Sequence, residues 1–125
     1  MKLGLLTAIL DTSSFEEVVE IASEMGFSSL EVACWPSGTA ERRYAGVSHI
    51  DCERVCEDDI YADSIRNLVD KKHLTISSLA FYPNTLDPNL EKRSANIAHL
   101  KAVIKASQKL GVNMVSTFIG RDQHK

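Results

Sequence analysis

Residues 74–88 read Leu-Thr-Ile-Ser-Ser-Leu-Ala-Phe-Tyr-Pro-Asn-Thr-Leu-Asp-Pro. The first half is rich in β-branched and apolar residues and carries no charge, which is the composition of a strand buried on both faces in a parallel sheet. Pro83 ends it. Proline cannot donate to a ladder and pushes Tyr82 towards an extended backbone, so Phe81, Tyr82 and Asn84 are expected at the strand's carboxyl end and in the loop beyond. In parallel α/β folds ligands bind at that end.

Upstream, residues 2–10 form an apolar run short enough to be a buried first strand, and residues 11–14 break it. Ser13 or Ser14 can cap a helix in which Glu16 and Glu17 stand three residues further on, as a capping box requires. Phe15, Val18, Val19, Ala22 and Met25 make the apolar stripe of that helix, and Gly26 supplies its stop. Residues 29–35 predict a second strand with Leu30, Val32 and Cys34 on one face and Glu31, Ala33 and Trp35 on the other. That alternation places a carboxylate on a face expected to be largely buried. Residues 36–57, including Gly38, Arg42, Arg43, Gly46 and His49, show no sustained period and read as a long loop with room for one short helical turn. Loops of that length in compact domains are more often functional than idle.

From Asp58 the helical pattern returns, with Tyr61, Ile65, Leu68 and Val69 apolar, acidic residues at its start and Lys71 and Lys72 at its end. Downstream of the central strand, Asn89 starts a long helix through Leu110, with Ile97, Leu100, Val103, Ile104 and Leu110 facing inwards and Gly111 as its stop. Residues 113–119 give a fourth apolar strand, and residues 120–125 are polar.

The order β-α-β-α-β-α-β requires right-handed crossovers and a parallel sheet within one domain, residues 1–125. Two architectures satisfy it: a small doubly wound domain, or half of a (β/α)8 barrel, whose full form takes about 250 residues. The sequence ends at a strand without the helix that would cover it, which favours the half-barrel.

The chain has 125 residues, 44% hydrophobic and 25% charged, the profile of a soluble globular domain. A net charge of −3 offers no broad attraction for nucleic acid or an acidic membrane, so neither is expected as a partner. No apolar run approaches the roughly 20 residues needed to cross a bilayer. Cys34, Cys52 and Cys56 are odd in number and follow no signal peptide, which fits a reducing, cytoplasmic setting.

Residues 77–87 (Ser-Ser-Leu-Ala-Phe-Tyr-Pro-Asn-Thr-Leu-Asp) and 117–122 (Thr-Phe-Ile-Gly-Arg-Asp) resemble the sugar phosphate isomerase/epimerase family of xylose isomerase-like TIM barrels. The helix between them, with Arg93, Ile97, His99, Leu100 and Lys101, carries the same resemblance, as does the Val47-Ser48-His49-Ile50-Asp51 segment. It covers the whole chain but only the first half of such a barrel.

The resemblance implies metal-assisted proton transfer beside a sugar carbonyl, with two Glu, an Asp and a His typically holding a divalent cation. It also implies that those ligands come mainly from the second half. This chain is therefore expected to supply substrate-facing residues, to lack the metal ligands and a cofactor of its own, and to be inactive alone. Its expected partners are a sugar or sugar phosphate and, through its open sheet edges, a second half-barrel: another copy or a carboxyl-terminal half.

The candidate substrate-binding residues are Glu31, Trp35, Phe81, Tyr82, Asn84, Arg121 and Asp122. Trp35 beside a polar group either stacks a sugar ring or plugs the core with Glu31 paired to a cation. Phe81 and Tyr82 share that ambiguity, and Asn84 can serve as a turn cap. Arg121 and Asp122, just past Gly120, either meet a phosphate or carboxylate or form a weak surface ion pair. His49, Cys52 and Cys56 match no zinc-site spacing, and no metal is assigned to them. His73 and His99 read as surface or interface residues, and His124 as part of a terminus.

The competing function is a doubly wound binding or signalling module. It lacks support: no acidic cluster or Gly-rich turn follows the first strand, and no phosphate-accepting Asp ends the third. A DNA-repair endonuclease of the same barrel superfamily would place His ligands where Phe81, Tyr82 and Phe118 stand.

Overall fold

The computed structural model describes residues 2–36, 47–118 and 120. It contains β1 (Gly4–Leu6), a 3-10 turn (Thr7–Ile9), α1 (Phe15–Glu24), β2 (Ser29–Ala33), α2 (Cys52–Glu57), α3 (Asp59–Lys71), β3 (Thr75–Ala80), α4 (Leu90–Leu110) and β4 (Val115–Ser116). All strand pairs are parallel, in the order β1-β2-β3-β4. Neighbours in sequence are thus neighbours in space, as in one arc of a barrel.

The helices begin and end where local chemistry satisfies their free backbone groups. Ser14 Oγ accepts from the Glu17 N–H at 3.2 Å, and the Glu17 carboxylate accepts from the Ser14 N–H at 3.3 Å, completing a capping box. Asp51, Asp58 and Asn89 cap α2, α3 and α4 with their side-chain oxygens. Gly111 closes α4 at φ 72, in the left-handed region. His73 does the same after α3 at φ 57 without glycine's freedom, while Leu74 N–H reaches Val69 O at 2.9 Å.

One apolar cluster joins Phe15, Val19 and Ala22 of α1, Val55 of α2, Ile65 and Val69 of α3, and Val103 and Ala106 of α4 to Leu30, Val32, Leu79 and Phe81 of the sheet. All four helices therefore lie on one sheet face. A separate cluster of Ala8, Ala33 and Val47, with Leu6 and Trp35 against it, includes no residue of α1–α4. One-sided cover and sequential strand order make the architecture a partial TIM barrel rather than a doubly wound sheet.

Several expectations need correction. The first strand stops at Leu6 rather than Leu10, because Thr7 turns the chain into a 3-10 turn and its side chain becomes the acceptor for the Ala33 N–H, at 2.9 Å. The fourth strand is confined to Val115–Ser116, short of the residues 113–119 predicted for it. Met25 caps α1 and is 69% exposed, and Ile104 is 43% exposed on α4, so neither belongs to the buried stripe. His99, expected at the surface or an interface, is buried at 9% exposure, with Nε2–H donating to Cys34 O at 2.7 Å.

The β2–β3 register contains a bulge. Leu30 faces Ile76 and Glu31 faces Ser78, which leaves Ser77 without a counterpart, and its hydroxyl donates to Leu30 O at 3.1 Å. Before the bulge Leu74 and Ile76 pack towards the helices, whereas after it Leu79 and Phe81 do. The extra residue turns Ser78 and Tyr82 towards the opposite, inner face.

Candidate functional site

The carboxyl ends of β2, β3 and β4 bring together Glu31, Trp35, Tyr82, Ser116 and Phe118. The Tyr82 hydroxyl donates to Glu31 Oε1 at 2.7 Å. Burial, followed by the adjacent Glu31 carboxylate, pushes the Tyr82 phenol up to about 12, so it stays protonated at neutral pH. The Ser116 hydroxyl lies beside the same phenol and donates to Ser78 Oγ at 3.2 Å. A chain of polar groups therefore crosses three neighbouring strands on the face away from the helices.

Aromatic rings frame it. Trp35 meets Tyr82 edge-on at 5.6 Å and Phe81 at 5.7 Å, and Phe118 lies tilted over Tyr82 at 4.7 Å. Phe81 is buried at 2% exposure and rests on His99 at 4.7 Å, so it supports the platform from behind. Trp35 and Tyr82 are half-buried, and Phe118 is 59% exposed. Trp35 thus packs on the core and also presents surface at the rim. Glu31 pairs with a phenol, and among the described residues it forms no ion pair with a cation.

Asn84 lies in the loop after β3, where its Oδ1 accepts from the Leu86 N–H at 3.1 Å and its carbonyl accepts from Asn96 Nδ2 at 3.1 Å. Gly120, at φ 98, passes so close that a Cβ there would meet Asn84 Oδ1 at 2.5 Å and Thr85 N at 2.9 Å. Gly120 is thus pressed against the loop after β3. Arg121, Asp122 and His124 lie outside the described residues, as do Gly38, Arg42, Arg43 and Gly46.

His49 finishes the β1 side of the rim. Its Nε2 faces Leu10 O at 3.2 Å and Ser13 O at 3.1 Å, and because carbonyls only accept, Nε2 carries the proton. Nδ1 then accepts from the Thr7 hydroxyl at 2.8 Å. Burial lowers the His49 pKa, and the two carbonyls and Asp11 oppose that only in part. The His49 N–H also donates to Ala33 O at 2.9 Å, and the Trp35 N–H to Val47 O at 3.1 Å, so residues 47–49 take over the edge of β2 that β1 leaves early.

The three cysteines are free thiols. Burial and the neighbouring Cys52 push Cys34 up, and burial raises Cys56. Among the described residues no group of three or more His, Cys, Asp or Glu is placed to hold a metal ion, so these residues do not fit the divalent cation that the resemblance implies. No described helix is long and apolar enough to cross a membrane.

Among the described residues, cavities open on either side of the strands' length, and two bear on the choice of site. The larger, about 510 Å³, lies between the end of α4 and the start of β4, at the opposite end of the strands from the rim. The smaller, about 240 Å³, opens beside Trp35 and is bordered by Ser48, Asp51, Cys52, Glu53 and His99. Barrel sites form at the carboxyl ends of strands, so the rim and not the larger cavity is the candidate site. Sequence reading missed Ser116, Phe118 and Thr7 as parts of it; the signal for the first two was their place at the end of an apolar strand.

The structure is similar to the crystal structure of the probable 3-DHS dehydratase AsbF, involved in petrobactin synthesis, from Bacillus anthracis, with a TM-score of 0.60 and 22% identity. The match covers 98% of this chain and 39% of that one, so this chain spans well under half the length of its structural neighbour. No curated protein matches the sequence. The family model described as xylose isomerase-like TIM barrel matches residues 19–125, and the chain belongs to that family.

Proposed function

We propose that this chain forms the substrate-facing part of a sugar or sugar phosphate isomerase or epimerase. The observation that carries the reading is the Glu31–Tyr82 pair, 2.7 Å apart on the inner face and framed by Trp35 and Phe118. A carboxylate with one oxygen engaged by a protonated phenol keeps its other oxygen for a ligand hydroxyl, while aromatic faces suit the C–H surfaces of a sugar ring. Tyr82 fixes the direction of Glu31, and Trp35 excludes water from one side. No step of this reading runs through a metal. The chain's other proposed partner is a second half-barrel, which would bring the ligand-bearing wall opposite this rim.

The sequence contains a single tryptophan, Trp35, so its fluorescence reports on the rim alone. Titration with aldoses, ketoses and their phosphates at millimolar concentration is expected to give a saturable change that Glu31→Leu weakens at least fivefold. No response to any of them would refute the reading. So would sugar isomerisation or epimerisation by the 125-residue chain with no metal present.

A further inference from the structure

We infer that Glu31 is a charge filter: the part of the substrate received by the Glu31–Tyr82 pair is an uncharged, hydroxylated end, and a phosphate or carboxylate group is refused there. This rests on the proposed sugar-handling role and adds which chemistry the wall accepts.

Among the described residues the inner wall contains one carboxylate, that of Glu31, and the hydroxyl groups of three residues, Tyr82, Ser78 and Ser116. Hydroxyls could serve an anion, but two of the three protons are already directed, and Ser78, which holds the third, is buried at 4% exposure. The Tyr82 hydrogen points to Glu31 Oε1 at 2.7 Å, and the Ser116 hydrogen to Ser78 Oγ at 3.2 Å. What remains towards a ligand is acceptor capacity, chiefly the second carboxylate oxygen of Glu31. An anion offers acceptors only and meets a like charge; a neutral polyol offers donors.

The described arginines and the ion-paired lysine are engaged elsewhere: Arg93 donates to Asp87 O at 3.0 Å and Leu86 O at 3.5 Å in the loop after β3. Arg54 pairs with Asp58 and stands over the Tyr61 ring, Arg66 pairs with Asp63, and Lys109 pairs with Asp59, all on α2, α3 and α4 behind the sheet. None of these can neutralise an anion at the inner wall. The aromatic surfaces of Trp35, Tyr82 and Phe118 add apolar contact without charge preference. Tyr82 is a positioning residue in this scheme: it holds Glu31 in place but does not create the preference.

The test uses erythritol and erythronate, four-carbon ligands of matching size that differ by a neutral or an anionic end, with Trp35 fluorescence as the readout. The wild-type chain is expected to bind erythritol at least tenfold more tightly than erythronate. Glu31→Gln, which keeps the shape and removes the charge, is expected to bring the two within threefold. Tyr82→Phe is expected to weaken erythritol three- to tenfold while leaving the preference in place, a split that general loosening of the rim would not produce. Equal binding of the two ligands by the wild type, or an unchanged ratio in Glu31→Gln, would overturn the charge filter and leave the sugar-handling role standing. Failure of both ligands to bind, together with a silent panel of sugars, would remove both readings.

Discussion

Tyr82→Phe isolates one oxygen atom. The substitution keeps the ring that packs between Trp35 and Phe118 and deletes only the hydroxyl that donates to Glu31 at 2.7 Å. Hydrogen bonds to a charged acceptor contribute about 1.5–3 kcal/mol, and because both side chains here are half-buried the lower end applies, about 1.5 kcal/mol. With an unfolding entropy of about 2.1 cal/mol/K per residue, that lowers the melting temperature by about 6 °C. Urea unfolding followed by Trp35 fluorescence measures the loss. A double-mutant cycle with Glu31→Leu assigns it to the pair, with an expected coupling of about 1 kcal/mol. The phenol's own titration is a second check. Its folded pKa of about 12 lies above the ordinary value of about 10, so its contribution is full below pH 10 and lost as pH rises from there. Absorbance titration should show a late tyrosine step that vanishes in Tyr82→Phe and moves earlier in Glu31→Leu, though not to the ordinary value, since burial is the larger cause. A coupling below about 0.3 kcal/mol with an unshifted phenol would refute the reasoning.

His49 titrates with the opposite sign: burial holds its folded pKa below the unfolded value of about 6.5, so its stabilisation is complete above that pH and declines as pH falls through and below it. Melting temperatures between pH 7.5 and 5 should fall more steeply for the wild type than for His49→Gln. His73 holds a left-handed conformation at φ 57, and His73→Gly is expected to stabilise the chain by about 0.5–1 kcal/mol in urea unfolding, a gain that would be absent if the side chain made compensating contacts. Leu3, Met114 and Phe118 are 55%, 61% and 59% exposed beside the two outer strands. Sedimentation should show concentration-dependent self-association that Met114→Gln with Phe118→Ser reduces; a monomer at high concentration would count against pairing through these edges.

The parts of the fold that were legible are those fixed by local chemistry. Ser14 with Glu17, Asn89 and Gly111 mark helix ends because their side chains or their lack of one satisfy backbone groups within a few residues. The alternation of β2 placed Glu31 and Trp35 on one face, where the structure has them, since no bulge interrupts that strand before its end. What escaped depends on partners distant in sequence. The 3-10 turn at Thr7 follows from contacts with Ala33 and His49, which lie 26 and 42 residues away. His99 is buried because Cys34 O, 65 residues away, accepts from it and Phe81 lies against its ring. The exposure of Ile104 is similar in kind: a helix of 21 residues can offer two candidate apolar stripes, and only the sheet it meets selects between them.

The bulge at Ser77 explains why the central strand could be recognised as a strand while its faces could not be assigned. Strict alternation from Leu74 and Ile76 would send Tyr82 to the helix side and Leu79 and Phe81 to the inner face. Leu79 and Phe81 are 0% and 2% exposed, among the most fully buried side chains of the molecule. Burying them against the helices outweighs one irregular ladder position, because each large apolar side chain removed from water contributes about 1.5–3 kcal/mol whereas the Ser77 hydroxyl offsets part of the lost pairing by bonding Leu30 O. The same shift delivers Tyr82 to Glu31. The core's demand and the rim's geometry are therefore met by one extra residue, and that residue is polar because the neighbouring strand offers its side chain a free carbonyl, Leu30 O, to bond.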